Sequence, residues 1–147
     1  MKRTIVALFL ISSFAFADGE SDVITFTQRY KPYENAAHTI KDICSVYVNT
    51  LFFTGGLKET YISQLSYNPD KYIVHFINEV AEPRPDVLKH SPFLVRERIT
   101  EADSEIELAW IVDTGKKEVS PYNYLAQDSM NLFEDMLELL GFHPIPK

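Results

Sequence analysis

The sequence predicts an α+β domain in which an antiparallel sheet of about four strands packs against an N-terminal and a C-terminal helix. Three observations support this prediction. Several short runs alternate apolar and polar residues, as half-buried strands do. Two longer segments repeat their apolar residues every three to four positions, which is typical of amphipathic helices. The strand-like runs are grouped together, which favours an antiparallel sheet over a parallel one with intervening helices.

Residues 1–17 are predicted to be a cleaved signal peptide, and residues 18–147 a single globular domain. Lys2 and Arg3 precede an apolar stretch of about 13 residues, well below the roughly 20 that a membrane-spanning helix needs. Ala15–Ala17 has the small-x-small pattern that a signal peptidase cleaves. A membrane anchor or a buried N-terminal helix fits less well, because charged residues follow at once. We therefore expect a periplasmic or secreted protein with no stable membrane anchor.

The composition excludes several classes of protein. The 147 residues include 14 basic and 21 acidic ones, a net charge of -7, and loss of Lys2 and Arg3 leaves 12 basic residues and a net charge of -9. Such an acidic chain is unsuited to binding nucleic acid, and a hydrophobic content of 46% excludes a disordered one. Cys44 is the single cysteine, so it is either buried or paired with another chain.

The first predicted elements are a strand and a helix. Residues 23–30 alternate and are rich in β-branched and aromatic residues, which predicts a strand. Residues 35–53 carry apolar residues at helical spacing, which predicts an amphipathic helix. The apolar stripe consists of Ala37, Ile40, Cys44, Tyr47 and Leu51. Gly55 and Gly56 are expected to end this helix.

The middle of the chain predicts a meander of three strands. Residues 57–67 fit either a short helix or a strand, and the spacing of Leu57, Tyr61 and Leu65 favours the helix. Asn68–Asp70 is a turn signal. The strands of the meander are predicted at 72–80, 93–100 and 105–113, with a proline-rich surface connection at 82–92 and a hairpin at 102–104.

A second helix is predicted near the C-terminus. Ser120 is a candidate N-cap and Pro121 suits the first helical position. A stripe at helical spacing runs from Tyr122 to about Leu140, and Gly141 is expected to end the helix.

Two features suggest a surface that binds a partner protein. Acidic residues crowd the predicted hairpin, and tyrosines lie near the ends of the elements, where their large rings suit an interface. The predicted partner-binding residues are Glu101, Asp103, Glu105, Glu107, Tyr122 and Tyr124. The same charges also suit a solvated hairpin that discourages edge-to-edge pairing, and the tyrosines suit ordinary core packing. A calcium loop is a poor fit because the spacing of its ligands is absent.

The sequence contains no motif for catalysis, a metal or a cofactor, and none is predicted. The four histidines lack metal-site spacing, no nucleophile motif or phosphate loop occurs, and Cys44 lies mid-helix, where little would lower the pKa of its thiol. His75 lies in the middle of a predicted strand. A half-buried histidine bonded to a neighbour is the favoured interpretation, and a general base in a cavity is the other.

Two functions of different class remain. The first is an exported, non-catalytic protein-binding module of the envelope, such as an inhibitor, an immunity-type protein or an accessory factor, whose partner has a basic surface. The second is a small-ligand-binding protein or small hydrolase with a pocket between sheet and helices, in which His75 works with Glu79 or Asp113. The sequence does not predict an oligomeric state.

Overall fold

The computed structural model describes residues 19–65, 68–83 and 105–147. The elements in these ranges are, in chain order, α1 (Glu20–Arg29), α2 (Ile40–Leu51), β1 (Phe52–Gln64), β2 (Lys71–Pro83), β3 (Glu105–Asp113), β4 (Glu118–Pro121) and α3 (Tyr124–Leu139). The strands form one antiparallel sheet in the order β1-β2-β3-β4. This confirms the α+β class and the four-stranded antiparallel sheet with N-terminal and C-terminal helices.

The core lies between one face of the sheet and the helices. Trp110 at the centre of β3 is the largest fully buried side chain, and Leu108 and Val112 on the same face of that strand are also fully buried. The cluster continues through Val23 of α1, six residues of α2, and Ala126, Phe133 and Leu137 of α3. The helices therefore bury their apolar faces against the same side of the sheet.

Helix α1 occupies the segment predicted as the first strand, so that prediction is wrong. Val23 and Thr27, four residues apart, form the buried face of the helix. The Thr27 hydroxyl donates a hydrogen bond to the Val23 carbonyl over 2.8 Å, which satisfies this buried polar group inside the helix. Glu20 and Asp22 lie in the first turn, where their negative charges interact favourably with the positive end of the helix dipole and so stabilise the helix.

Helix α2 confirms the predicted amphipathic helix but begins later, because Thr39 and Asp42 form a capping box. The Asp42 backbone N–H donates to the Thr39 hydroxyl over 3.2 Å, and the Thr39 backbone N–H donates to the Asp42 carboxylate over 2.9 Å. Of the predicted stripe, Ile40, Cys44, Tyr47 and Leu51 are buried, whereas Ala37 precedes the helix and is exposed. The helix ends at Leu51, before the predicted glycine stop.

Strand β1 replaces the short helix predicted at 57–67, so that prediction is also wrong. The strand continues directly from α2 and pairs along the length of β2. Gly56 lies at an irregularity in this pairing and has a φ of 97°. Glycine therefore supplies a bulge inside β1 instead of a helix end. The predicted turn at Asn68–Asp70 connects β1 to β2, and the Asp70 backbone N–H donates to the Asn68 side chain over 3.1 Å.

Strands β2 and β3 confirm the predictions for 72–80 and 105–113, whereas the start of the last helix differs from its prediction. Ser120 and Pro121 belong to β4, so neither caps a helix. Asn123 is the N-cap of α3, and its side chain accepts from the Ala126 backbone N–H over 3.0 Å.

Helix α3 ends where the sequence predicts. Gly141 has a φ of 89°, its backbone N–H donates to the Glu138 carbonyl over 3.0 Å, and that of Phe142 donates to the Leu137 carbonyl over 2.8 Å. These two bonds form a Schellman motif, which satisfies carbonyls that a helix end otherwise leaves without partners.

Several predictions concern residues outside the described ranges. They are the signal peptide at 1–17, most of the proline-rich connection at 82–92, the strand at 93–100 and the hairpin at 102–104. Among the helices of the described ranges, none combines the length and the apolar composition needed to cross a bilayer.

Candidate functional site

Asn123 brings the predicted tyrosines to the edge of the acidic strand. Its side-chain amide donates to the Glu107 carbonyl over 2.9 Å and accepts from the Ala109 backbone N–H over 3.2 Å. The Tyr122 backbone N–H donates to the Ala109 carbonyl over 2.9 Å. Tyr122 and Tyr124, which flank Asn123, are therefore fixed beside β3. The backbone of this segment thus lies beside the strand that carries two of the predicted carboxylates, Glu105 and Glu107.

We call this region the acidic-tyrosine surface, defined by Glu105, Glu107, Tyr122 and Tyr124. Tyr122 is 51% and Tyr124 37% exposed. Strand β4 ends opposite Trp110, so the first half of β3 extends beyond it. Glu101 and Asp103, the other two predicted binding residues, directly precede β3 in the sequence and lie outside the described residues.

The two carboxylates of this surface already have partners within the chain. Lys58 of β1 forms an ion pair with Glu105, and this contact raises the pKa of the lysine. Glu107 accepts from the ring of His75, with 2.8 Å between the Glu107 Oε2 and His75 Nδ1 atoms. The Lys58–Glu105 pair is exposed and so contributes little stability. A basic partner can therefore displace Lys58 at small cost.

His75 lies at the centre of a polar cluster on the face of the sheet opposite the helices. Its Nε2 atom is 3.0 Å from the Ser63 hydroxyl, and its ring stacks on that of Tyr61 with 4.2 Å between centroids and 4° between planes. The Tyr61 hydroxyl donates to the second oxygen of Glu107 over 3.4 Å. We call Tyr61, Ser63, His75 and Glu107 the His75 cluster. Three adjacent strands supply its members.

The register of the sheet explains which carboxylate His75 contacts. His75 pairs with Ala109 and Ile77 pairs with Glu107, so Glu107 lies two residues along the same face. Of the predicted partners, Glu79 lies four residues from His75 along β2, and Asp113 lies four residues from Ala109 along β3. Neither is the carboxylate that bonds to the His75 ring. The His75 side chain is 12% exposed, which confirms the interpretation as a half-buried strand histidine bonded to a neighbour.

A half-open cleft of about 240 Å³ lies on the other side of the sheet, between α1, α2 and the first two strands. Phe76 and Asn78 of β2 line it together with Lys41, Cys44 and Ser45 of α2. Because side chains alternate along a strand, His75 points away from this cleft. The structure thus separates the predicted pocket from the histidine that was expected to work in it.

Cys44 is buried, as one of its two interpretations predicts. The side chain is 7% exposed, and burial raises the pKa of its thiol to about 12, a shift that the neighbouring Trp110 side chain opposes. The thiol is therefore protonated and unreactive at neutral pH.

The parts of the chain that the structure describes contain no group of three or more histidine, cysteine or acidic side chains that could hold a metal ion. Comparison with family models, with curated proteins and with solved structures finds no match for this chain. Its function therefore has to be inferred from the side chains themselves.

Proposed function

We propose that the protein is an exported binding protein of the cell envelope, periplasmic or secreted, that docks on a partner with a basic surface through the acidic-tyrosine surface. It would act as an inhibitor, an immunity-type protein or an accessory factor of an envelope machine. The observation that best supports this proposal is the side chain of Asn123, which holds the tyrosines of the α3 N-terminus against the strand that carries the carboxylates.

The chemistry of the surface suits a basic partner. Carboxylates attract positive charge over several ångströms and raise the rate of encounter, most strongly at low salt. Tyrosine rings give contact area with few rotatable bonds, and each buries roughly 150–250 Å² when covered. Because Tyr122 is 51% and Tyr124 37% exposed, the two rings would together supply roughly 130–220 Å², up to about a quarter of the roughly 800 Å² that each partner buries in a standard interface.

The test begins with a photo-crosslinking amino acid at Tyr122 in the native host, which identifies the partner that contacts this position. Binding of the purified partner to the mature chain is then measured for the variant Glu101→Lys/Asp103→Lys/Glu105→Lys and for Tyr122→Ala/Tyr124→Ala. We expect each variant to fold and to bind at least about tenfold more weakly, a loss of roughly 1.4 kcal/mol. The effect of the charge reversal should grow as salt is lowered.

The control variant is Asp135→Lys/Glu138→Lys, which reverses two exposed charges in the C-terminal half of α3. Glu138 lies about 20 Å along the helix from Tyr124, so binding should stay close to that of the wild type. Equal binding by the wild type and both surface variants would refute the proposed docking site. Export is tested separately, because protein purified from its native host should begin at Asp18.

Binding of a small ligand in the cleft between α1, α2 and the sheet is less well supported. Its volume of about 240 Å³ is below the roughly 300–1,000 Å³ of ordinary ligand pockets. His75, the predicted working group, lies on the opposite face. We therefore keep protein binding as the proposed function.

A further inference from the structure

We propose that Ser63 is a nucleophile activated by His75, and that it accepts acyl groups from short-chain esters. This activity goes beyond the docking function, and Glu107 is the one of its residues that also belongs to the acidic-tyrosine surface. The contacts of Ser63, His75 and Glu107 form an unbroken chain of hydrogen bonds across β1, β2 and β3.

These hydrogen bonds have the geometry of a hydroxyl nucleophile, a base that accepts its proton, and a carboxylate that orients the base. The Ser63 Oγ atom is 3.0 Å from the His75 Nε2 atom, and the His75 Nδ1 atom is 2.8 Å from the Glu107 Oε2 atom. Both distances are within reach of proton transfer. Nucleophile, base and orienting group in this sequence of contacts are the structural signature of covalent catalysis by serine.

The tautomer of the neutral His75 ring follows from its hydrogen-bond partners. A carboxylate only accepts hydrogen bonds, so Glu107 fixes the ring proton on Nδ1 and leaves the lone pair of Nε2 facing the Ser63 hydroxyl. The Tyr61 ring stacks on the imidazole, and the Tyr61 hydroxyl donates to the other oxygen of Glu107. These contacts hold both the ring and the carboxylate in place. Glu107 and Tyr61 are therefore positioning residues, whereas Ser63 and His75 act on the substrate.

The reaction balances with groups that are present or supplied by the substrate and water. The Ser63 oxygen attacks the ester carbonyl carbon while its proton moves to the His75 Nε2 atom. The bond from carbon to the leaving oxygen breaks, and the leaving alkoxide takes that proton. Water then attacks the acyl-serine with His75 as base, which releases the carboxylic acid and restores the Ser63 hydroxyl.

Ser63 is exposed on the outer face of the sheet, so a small ester can reach its hydroxyl directly from solvent. The exposed Tyr61 ring offers a flat surface for an aromatic or planar leaving group.

The experiment treats the mature protein with a fluorophosphonate, which bonds to an activated serine through phosphorus and releases fluoride. Fragment mass spectrometry then locates the label and separates Ser63 from Tyr61. Ser120, an exposed serine of β4, is the control within the same folded chain. General base assistance contributes about 10²–10⁴-fold, so we expect Ser63 to react at least about 100-fold faster than Ser120. Acetylation of Ser63 by p-nitrophenyl acetate should follow the same order.

Three variants complete the test. His75→Gln should slow labelling of Ser63 by about 100-fold, Glu107→Gln should slow it less because an acceptor for Nδ1 remains, and Ser120→Ala should leave it unchanged. Far-UV circular dichroism checks that each variant folds. The proposal would be overturned if Ser63 of the wild type is labelled no faster than Ser120, or if Ser63 is labelled equally fast in the His75→Gln variant and the wild type. The cluster would then be a structural network of hydrogen bonds between strands.

Discussion

The side chain of Asn123 bonds to the backbone of Ala109 from outside the sheet. The Ala109 N–H donates to Asn123 Oδ1 over 3.2 Å, and the same oxygen accepts from the Ala126 N–H at the start of α3. One amide thus continues the hydrogen bonding of β3 beyond the end of β4 and caps the last helix. The placement of Tyr122 and Tyr124 depends on this residue.

Replacing Asn123 should therefore destabilise the protein strongly. Asn123→Ala removes the helix cap, which is worth about 1 kcal/mol, and leaves the fully buried Ala109 N–H without an acceptor, which costs roughly 1–3 kcal/mol more. We expect the free energy of unfolding to fall by about 2–4 kcal/mol in urea titrations. The control Asn123→Asp keeps the acceptor and loses the bond to the Glu107 carbonyl, so its loss should be smaller. Equal losses in the two variants would contradict this assignment.

The carboxyl group of Asp128 should make the stability of the protein depend on pH. Its carboxylate accepts from the buried Tyr47 hydroxyl over 2.9 Å. Burial raises the pKa of Asp128 above its ordinary value of 3.8, the bond from Tyr47 opposes that rise, and Asp135 adds to it. An acid with a raised pKa in the folded state binds protons more tightly when folded, so the protein loses stability as pH rises from 3.8 through the folded pKa.

The variant Asp128→Asn stays neutral and can still accept from Tyr47. We expect it to melt at a higher temperature than the wild type at pH 7, with the advantage shrinking as pH is lowered toward 3.8. Thermal unfolding of both proteins at several pH values measures the difference. A difference that stays constant with pH would show that burial of the charge is not its cause.

Cys44 should be protected from thiol reagents while the protein is folded. A pKa of about 12 leaves roughly one thiol in 10⁴ ionised at pH 8, and the side chain is buried. The variant Ser45→Cys places an exposed thiol next to it on α2 as a reference. We expect Cys44 to react at least about 1,000-fold more slowly than this reference at pH 8, and both to react readily in urea. Similar rates in the folded protein would contradict the burial of Cys44.

Gly56 and Gly115 form a matched pair for testing the bulge in β1. A Cβ added at Gly56 meets no atom within 4 Å, so the cost of Gly56→Ala comes from its φ of 97°. That cost should be about 1–2 kcal/mol. Gly115 lacks a positive φ, and its added Cβ would lie 3.4 Å from the Asp113 carboxylate, an ordinary contact. Urea titrations should therefore show little change for Gly115→Ala, within about 0.5 kcal/mol.

The periodicity of the sequence was enough to predict α2, β2 and β3, because each of their apolar patterns fits one period only, and Gly141 was enough to predict the end of α3. Residues 23–30 fit both the helical and the strand period. Val23 and Thr27 lie four residues apart, as on one face of a helix, whereas the alternation and the β-branched residues around them favour a strand. Packing against the core decided between these options, and local propensity could not. The spacing of Leu57 and Tyr61 favoured a helix, but this segment forms a strand because it pairs with β2.

The candidate sites show the same limit. Glu105, Glu107, Tyr122 and Tyr124 could be named from charge and residue type alone. Ser63 could not be linked to His75, because 12 residues separate them, and Glu107 lies 32 residues from that histidine. Only the register of three strands brings them together. Asn123 was not predicted as the N-cap, because Ser120 followed by Pro121 is the more typical start of a helix. In the structure Ser120 and Pro121 belong to β4.

Trp110 gives the folded protein an optical property of its own. It is the only tryptophan in the sequence, and its side chain is fully buried at the centre of the sheet. The tryptophan fluorescence of the folded chain therefore comes entirely from the dry interior. Its emission should move to longer wavelength when water reaches the indole, so that each unfolding titration can be followed without an attached dye.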